Sequence, residues 1–452
     1  MSTEHRPATQ RFTAKGRATR ERILQSAAEV LLTEGLSGLN MDKVRTAASV
    51  SGSQLTHYYA EKQALIRAII IRQIGIVLDF HRQPRLRGLD TFDDFEAWID
   101  ANVRYLRRIR FTGTPTYHAL AGQLAKSDES TRATLAAGYA QWIELLEQSI
   151  QRMKDRGLLV TKADPRRLAL AIVTAHQGAG LITFAYRQEW PLPDGLRFAV
   201  NYLRMFAADP AERAARRPRR PRDRKRPPHN VSEQPAERFT PKGLATRARI
   251  VEGAAQLMFD RGVIGTSLVD VRRTAGVSGS QLSHYFADKG DLTREVIAAR
   301  THEVIAFHTQ PRLGGLESLR ALREWAEAVI AEAETVYLRG GCIYGSLTGE
   351  LLEADDDVLD DLACGYERWL GVFHDGVTAM RRRGELTDDA DPRHLAVALV
   401  AAHQGGTMLT YATGSAEPLR AAIYAAVDYV SSFRSPPKKR VPRATSRPKR
   451  NT

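Results

Sequence analysis

Residues Arg11-Phe-Thr-Ala-Lys-Gly-Arg-Ala-Thr-Arg20 return 227 positions later as Arg238-Phe-Thr-Pro-Lys-Gly-Leu-Ala-Thr-Arg247. The offset then holds without a gap. Ser51-Gly-Ser-Gln-Leu-Thr-His-Tyr58 pairs with Ser278-Gly-Ser-Gln-Leu-Ser-His-Tyr285, Phe80-His81 with Phe307-His308, and Ala175-His-Gln-Gly178 with Ala402-His-Gln-Gly405. From Arg11 to Ile70 about half of the positions are identical. Solenoid repeats run roughly 20 to 50 residues, so a period this long is a duplicated, domain-sized subunit. Whatever one copy folds into must occur twice. The match fades near Phe206 and Phe433, which gives copies at 11–206 and 238–433, an arm at 1–10, a linker at 207–237 and a tail at 434–452.

Charge sits mainly between and after the copies. The chain carries +14 formally, and 207–237 holds nine Lys/Arg against five Asp/Glu, while 434–452 holds eight Lys/Arg and no acid. Such Pro/Arg-rich segments are too polar to pack; they read as a disordered linker and tail that attract nucleic acid without reading it, or simply keep the chain soluble. The two cysteines, Cys342 and Cys364, make neither a disulfide framework nor a metal cluster and suit a reducing cytoplasm. The start of the chain lacks an apolar signal-peptide core, and we read no apolar run near the length of a bilayer-spanning helix. A cytoplasmic protein with no membrane partner is expected.

Each copy reads as helical throughout, with no sustained period-two alternation, so the expected fold class is all-α. Ala18–Glu34 carries Ile23, Leu24, Ala27, Ala28 and Leu31 at helical spacing, with Gly35 as its C-cap. Asp164-Pro165 and Asp391-Pro392 read as an N-cap followed by a proline at the first helical position. Between the first two long helices lie a short helix at 40–48, a turn at Ser49-Val50 and a second short helix at 51–58. Ser267 and Asp270 suggest a capping box for the matching short helix of copy two.

Two short helices joined by a tight turn form a helix-turn-helix, whose second helix enters the major groove of DNA. The side chains suit that task. Ser51 caps the helix, Gly52 and Ser53 are small enough for close approach, and Gln54 can make a bidentate contact to adenine. Thr56 and His57 offer further donors. Tyr58 and Lys62 suit phosphates, which fix register without reading sequence. Copy two supplies Ser278, Gly279, Ser280, Gln281, Ser283, His284, Tyr285 and Lys289.

The run Lys15-Gly-Arg-Ala-Thr-Arg-Glu-Arg-Ile-Leu24, the Val50-Ser51 turn and the His57-Tyr-Tyr59…Lys62…Leu65 ending resemble the N-terminal domain of the TetR family of regulators. The resemblance implies DNA-binding domains at 11–63 and 238–290 and larger helical effector-binding and dimerisation domains at 64–206 and 291–433. It implies a double-stranded operator and a small apolar effector as partners, without a cofactor or metal. By resemblance, the penultimate helix of each copy pairs the subunits, through Ala171, Ala175 and Gly178 and through Ala398, Ala402 and Gly405. The linker is long enough for the copies to pair within one chain; pairing between two chains is the alternative. Effector-pocket candidates by position are Trp98, Tyr117, His118, Trp142 and His176 in copy one, and Trp325, Tyr344, Trp369 and His403 in copy two. Aromatics at helical spacing also serve as plain core. Thr56 and Ser283 stand where the family often has tyrosine, and Ser49 stands where copy two keeps the turn glycine, Gly276.

No phosphate loop, zinc spacing or nucleophile elbow is legible, so no catalytic residues are assigned and an enzyme is not expected. Two readings remain: a ligand-responsive repressor, or a constitutive, architectural DNA-binding protein held mainly by its basic segments.

Overall fold

Helix α1 (Ala14–Gly38) buries Ile23, Leu24, Ala27 and Leu31 along one face, and Thr13 Oγ1 caps it by accepting the Gly16 N–H at 3.1 Å. A computed structural model describes residues 12–109, 124, 128–215, 239–351 and 355–436. Copy one continues with α2 (Met41–Ala47), α3 (Gly52–Tyr58), α4 (Lys62–His81), α5 (Phe92–Ile109), α6 (Glu129–Asp155), α7 (Pro165–Tyr186), α8 (Pro191–Arg204) and the short α9 (Pro210–Ala214). Copy two runs α10 (Pro241–Arg261), α11 (Leu268–Ala275), α12 (Gly279–Tyr285), α13 (Lys289–His308), α14 (Leu319–Ala331), α15 (Ile343–Glu350), α16 (Asp356–Arg382), α17 (Pro392–Thr413) and α18 (Glu417–Ser431). Among the described residues the fold is all-α; the isolated bridges Leu159–Ala207 and Leu386–Arg434 are its closest approach to a sheet.

Short side chains let the copies meet. Helix α7 crosses α17, and a Cβ added at Gly178 would land on the Ala401 carbonyl, while one at Gly405 would land on the Thr174 carbonyl. Thr174 and Ala401 are themselves repeat partners, so the contact is reciprocal, as in an isologous two-fold interface. Ala171, Ala175, Ala398 and Ala402 are buried in the same two helices. Ala175 differs from the expected pairing face: its carbonyl lies beside Gly195 of α8, and Thr174 takes its place at the crossing.

Several expectations need correction. Helix α1 runs through Gly35 to Gly38. An interior glycine costs only about 1 kcal/mol against alanine and does not by itself stop a helix. At the equivalent Gly262 (φ +79°) the helix does stop, and the following Val263 N–H donates to Glu350 of α15. The copy-one counterpart, Gln123, lies outside the described residues. Ser267 and Asp270 form half a capping box: Ser267 Oγ accepts the Asp270 N–H at 3.1 Å and donates to its carboxylate at 2.6 Å, leaving the cap N–H out of the exchange.

The linker begins later than position 207. Ala207 is fully buried, Ala208 N–H donates to Leu158 O, and α9 follows with Asp209 as its cap and Glu212 paired to Arg204. The tail likewise starts after Arg434, since Ser435 N–H donates to Glu385 O. Residues 1–11, 216–238 and 437–452 lie outside the described set. Finally, α7 is long and apolar enough to cross a membrane by length and composition, with a mean hydropathy of 1.5, against the expectation of no such run. Its apolar window is 100% buried among neighbouring helices, which accounts for that composition.

Candidate DNA-reading heads and candidate ligand cavities

In each head, two long helices hold the two short ones. Arg22 Nε donates to Ala48 O at 3.0 Å and Arg249 Nε to Ala275 O at 2.9 Å, tying the end of the first short helix to the long helix behind it. Leu55 and Leu282 anchor α3 and α12 from below and are buried. The opposite face stays open: Ser51, Gly52, Ser53, Gln54, Thr56 and His57 are exposed, as are Ser278, Gly279, Ser280, Gln281, Ser283 and His284. Tyr58 and Tyr285 are half-buried, stacked against Phe12 and Phe239 at ring distances of 5.2 and 5.3 Å. Lys62 and Lys289 begin α4 and α13 partly covered, and that burial lowers the pKa of each ammonium.

Both exposed helices start with a full capping box. Gln54 N–H donates to Ser51 Oγ at 3.1 Å and Ser51 N–H to Gln54 Oε1 at 3.0 Å; Ser278 and Gln281 repeat this at 3.1 and 2.9 Å. The amide orientation is thereby fixed, with its NH2 turned away from the cap. A bidentate adenine contact needs that NH2 as donor and the oxygen as acceptor. The oxygen keeps a second lone pair for the base. Residue type alone suggested the glutamine; its capping role becomes visible only in the structure.

Behind the heads, each copy holds a cavity. In copy one it measures about 750 Å3 and is partly open, walled by Val77, Phe80, Leu106 and Phe184 from α4, α5 and α7. His81 organises its floor. Its Nδ1 donates to Val77 O at 2.7 Å, and its Nε2 accepts from both Trp98 Nε1 (3.0 Å) and Trp142 Nε1 (3.1 Å). Burial lowers the His81 pKa to about 4, so the ring is neutral at physiological pH. Asn102 donates to Trp98 O at 2.9 Å, which turns its Oδ1 toward His176 Nε2 at 3.0 Å. The side-chain amide of Gln177 and the hydroxyl of Thr183 also line the cavity, buried and without a hydrogen-bond partner among the described residues.

The copy-two cavity occupies the equivalent place, about 580 Å3, between Val304, Phe307, His308, Tyr337, Trp369 and His403. His308 Nδ1 donates to Val304 O at 2.7 Å and its Nε2 accepts from Trp369 at 3.1 Å, while the Trp325 indole N–H has no partner. Burial holds His308 at about 4 and His403 at about 3. The polar lining differs from copy one. Arg300 stands where copy one has Gln73, Glu303 where it has Ile76, and Glu332 where it has Tyr105. A π-helical turn, Ala333–Tyr337, brings Tyr337 back over Glu332 through the Tyr337 N–H to Glu332 O bond at 3.2 Å.

The structure thus brings Trp142 and His176 together in one cavity wall and Tyr344, Trp369 and His403 in the other. Trp98 and Trp325 are fully buried behind the floor histidines, outside the lining, because a ring that packs on a neutral histidine fills the layer beneath it. Tyr117 and His118 lie outside the described residues. The floor histidines His81 and His308 were missed by sequence reasoning, although the repeated Phe-His pair was their signal.

Three family models match the chain. The model described as bacterial regulatory proteins, tetR family, matches residues 250–296, most of the second head and the start of α13. The tetracyclin repressor-like C-terminal domain matches 315–426, and the C-terminal domain of LmrA/YxaF-like transcriptional regulators matches 92–195. The chain is 23% identical over 177 residues to the HTH-type transcriptional repressor DhaR of Mycobacterium sp. (strain GP1), covering 38% of this chain and 86% of that protein. It is 27% identical over 168 residues to the probable HTH-type transcriptional regulator ArpR of Pseudomonas putida, covering 34% of this chain and 75% of that protein. A solved TetR transcriptional regulator from Chloroflexus aurantiacus J-10-FL is 22% identical, with 43% of this chain and 98% of that chain aligned and a TM-score of 0.38. With a reading-head model on one copy and regulator C-terminal models on both, the chain belongs to the TetR family of DNA-binding transcriptional regulators, as two tandem copies of its subunit.

Proposed function

We propose that the chain is a ligand-responsive repressor in which the two copies pair with each other and present both heads, 11–63 and 238–290, to one palindromic operator. The observation that carries this reading is the reciprocal approach of Gly178 and Gly405 within a single chain. Palindromic operators present two half-sites about one helical turn apart, so a reader needs two heads in a fixed relation.

The ion pairs around the crossing favour unlike copies. Arg166 pairs with Glu417 at 2.9 Å, Arg167 with Asp428 at 3.3 Å, and Arg187 with Asp356 and Asp360. If copy one faced copy one, the acids Glu417, Asp428 and Asp360 would be replaced by Trp190, Asn201 and Ala133. If copy two faced copy two, Gly414 would replace Arg187. Exposed pairs contribute little each, but specificity is a difference between pairings.

In this reading Ser51, Gly52, Ser53, Gln54, Thr56, His57 and their copy-two equivalents face the base edges, Tyr58, Tyr285, Lys62 and Lys289 meet phosphates, and the two cavities take effectors. An effector that binds one arrangement of the heads more tightly shifts the population toward it. The test is selection of random double-stranded DNA by the purified chain, with light scattering on the selected complex. An inverted repeat bound by one chain is the expected result. The same repeat bound by two chains rejects pairing in cis. Salt-sensitive binding with no selected sequence points instead to an architectural role.

A further inference from the structure

The two cavities are built on one template and lined by different charges. Among the described residues the polar lining of the copy-one cavity, Gln73, Asn102, Gln177 and Thr183, is neutral, and no Asp, Glu, Lys or Arg is part of it. Arg300, Glu303 and Glu332 line the copy-two cavity. Arg300 is paired inside the protein through its terminal nitrogens: it bonds Glu303 at 2.5 and 2.6 Å and reaches Glu252 at 3.3 Å, while its Nε is buried without a partner among the described residues. Glu332 lacks a direct ion pair among the described residues; burial raises its pKa, and the Tyr337 hydroxyl and the charge of Arg312 act against that rise. Its carboxylate accepts from Tyr337 Oη at 3.4 Å. Tyr337 Oη lies 3.2 Å from His403 Nε2, and His403 is held neutral by burial, so it brings no compensating charge. Phe307, Tyr337 and Trp369 present aromatic rings in the same cavity.

We infer that the two cavities select ligands of different charge: copy one an uncharged, largely apolar molecule, and copy two an aromatic or hydrophobic monocation whose ammonium group pairs with Glu332. This rests on the ligand-responsive reading above and names the ligand class for each site. A carboxylate in a cavity with aromatic walls offers a cation both an opposite charge and ring faces. Tyr105 at the equivalent place offers only the ring. The full chain then has one site for each class.

The test uses two probes of matched size on the full chain at neutral pH: 2-(1-naphthyl)ethylamine, which is cationic, and 2-(1-naphthyl)ethanol, which is neutral. Calorimetry gives affinity and stoichiometry, and quenching of the buried tryptophans reports the site. The amine is expected to bind at one equivalent, with its affinity falling about tenfold in Glu332→Gln, while the alcohol is unaffected by that change. Tyr105→Glu is expected to add a second amine site. If amine and alcohol bind alike in the parent chain and in both variants, charge selection is wrong while ligand binding stands. If neither probe binds, neither cavity takes this class of molecule, and the ligand-responsive reading falls together with the inference.

Discussion

The proposed reading helices α3 and α12 differ at one residue of seven, Thr56 against Ser283, whereas the cavities behind them differ at Gln73/Arg300, Ile76/Glu303 and Tyr105/Glu332. Both regions were copied in the same event. A palindromic operator presents the same surface to both heads, so two identical readers are useful together. A small ligand imposes no such symmetry, and the second cavity is free to carry another chemistry. The contrast also separates what holds a helix from what it displays. The capping boxes at Ser51 and Ser278 have the same geometry in both copies, while the cavities keep the floor histidine, its tryptophan donor and the second histidine and alter the side chains at 73/300, 76/303 and 105/332.

The largest expected effect is of acid on the cavities. Burial lowers His81 and His308 to about 4 and His403 to about 3, from an ordinary 6.5. The unfolded chain therefore takes up these protons first. Stability is full above about pH 6.5, falls as the pH drops, and the loss is complete once the folded values are passed. Each such histidine contributes a slope of up to about 1.4 kcal/mol per pH unit across that window. His81 lies in α4, His308 in α13 and His403 in α17. Hydrogen exchange in these helices should accelerate between about pH 6.5 and 4. Exchange that does not change across that window would show that the buried histidines are not coupled to stability.

Next is the crossing of α7 and α17. Gly178→Ala and Gly405→Ala each drive a methyl into a backbone carbonyl of the other copy. Backbone cannot rotate away as a side chain can, and overpacking of this kind costs about 1–3 kcal/mol. Because the contact is reciprocal, the two substitutions should lower the denaturation midpoint by similar amounts. A loss in one and none in the other would break the two-fold relation between the copies.

Much of this architecture is written in the sequence for a physical reason. A gapless repeat fixes the number of subunits, and Asp164-Pro165 and Asp391-Pro392 mark helix starts because both residues act locally: each aspartate accepts backbone N–H groups of its own first turn. Trp142 and His176 are legible as a pair because both recur in copy two. What sequence hides is whatever depends on another element. Gly35 and Gly262 are the same residue in the same repeat, yet only Gly262 ends its helix, where Glu350 from a distant helix takes the next N–H. Glu332 reads as an ordinary surface acid until the π-helical turn places Tyr337 over it.

A smaller effect sharpens the comparison of the two floors. His81 accepts from two indoles, whereas His308 accepts from Trp369 alone and the Trp325 N–H is buried without a partner. Trp98→Phe therefore removes a bond and should cost about 1 kcal/mol more than Trp325→Phe, which relieves an unsatisfied donor. Both lose the same indole area, so the difference between their chemical denaturation midpoints isolates the hydrogen bond. Equal costs would mean that the second indole at His81 contributes nothing.

The smallest effect lies in the turns of the heads, where the two copies place different residues in the same left-handed conformation. Ser49 (φ +51°) holds the left-handed conformation that Gly276 (φ +62°) takes up without penalty. A side chain there costs about 1–2 kcal/mol, offset in part by the greater freedom a glycine loses on folding, about 0.5–1 kcal/mol. Ser49→Gly should stabilise the first head by about 0.5 kcal/mol, and Gly276→Ser should destabilise the second by the same small amount. Exchange of the Val50 amide, bonded to Arg45 O at 3.2 Å, and of the Val277 amide, bonded to Arg272 O at 3.1 Å, reads each turn separately. If Ser49→Gly slows exchange at Val50 toward the rate at Val277, turn strain is what separates two otherwise matched heads. If the rates do not move, the serine sits in that conformation without strain, and turn strain does not separate the two heads.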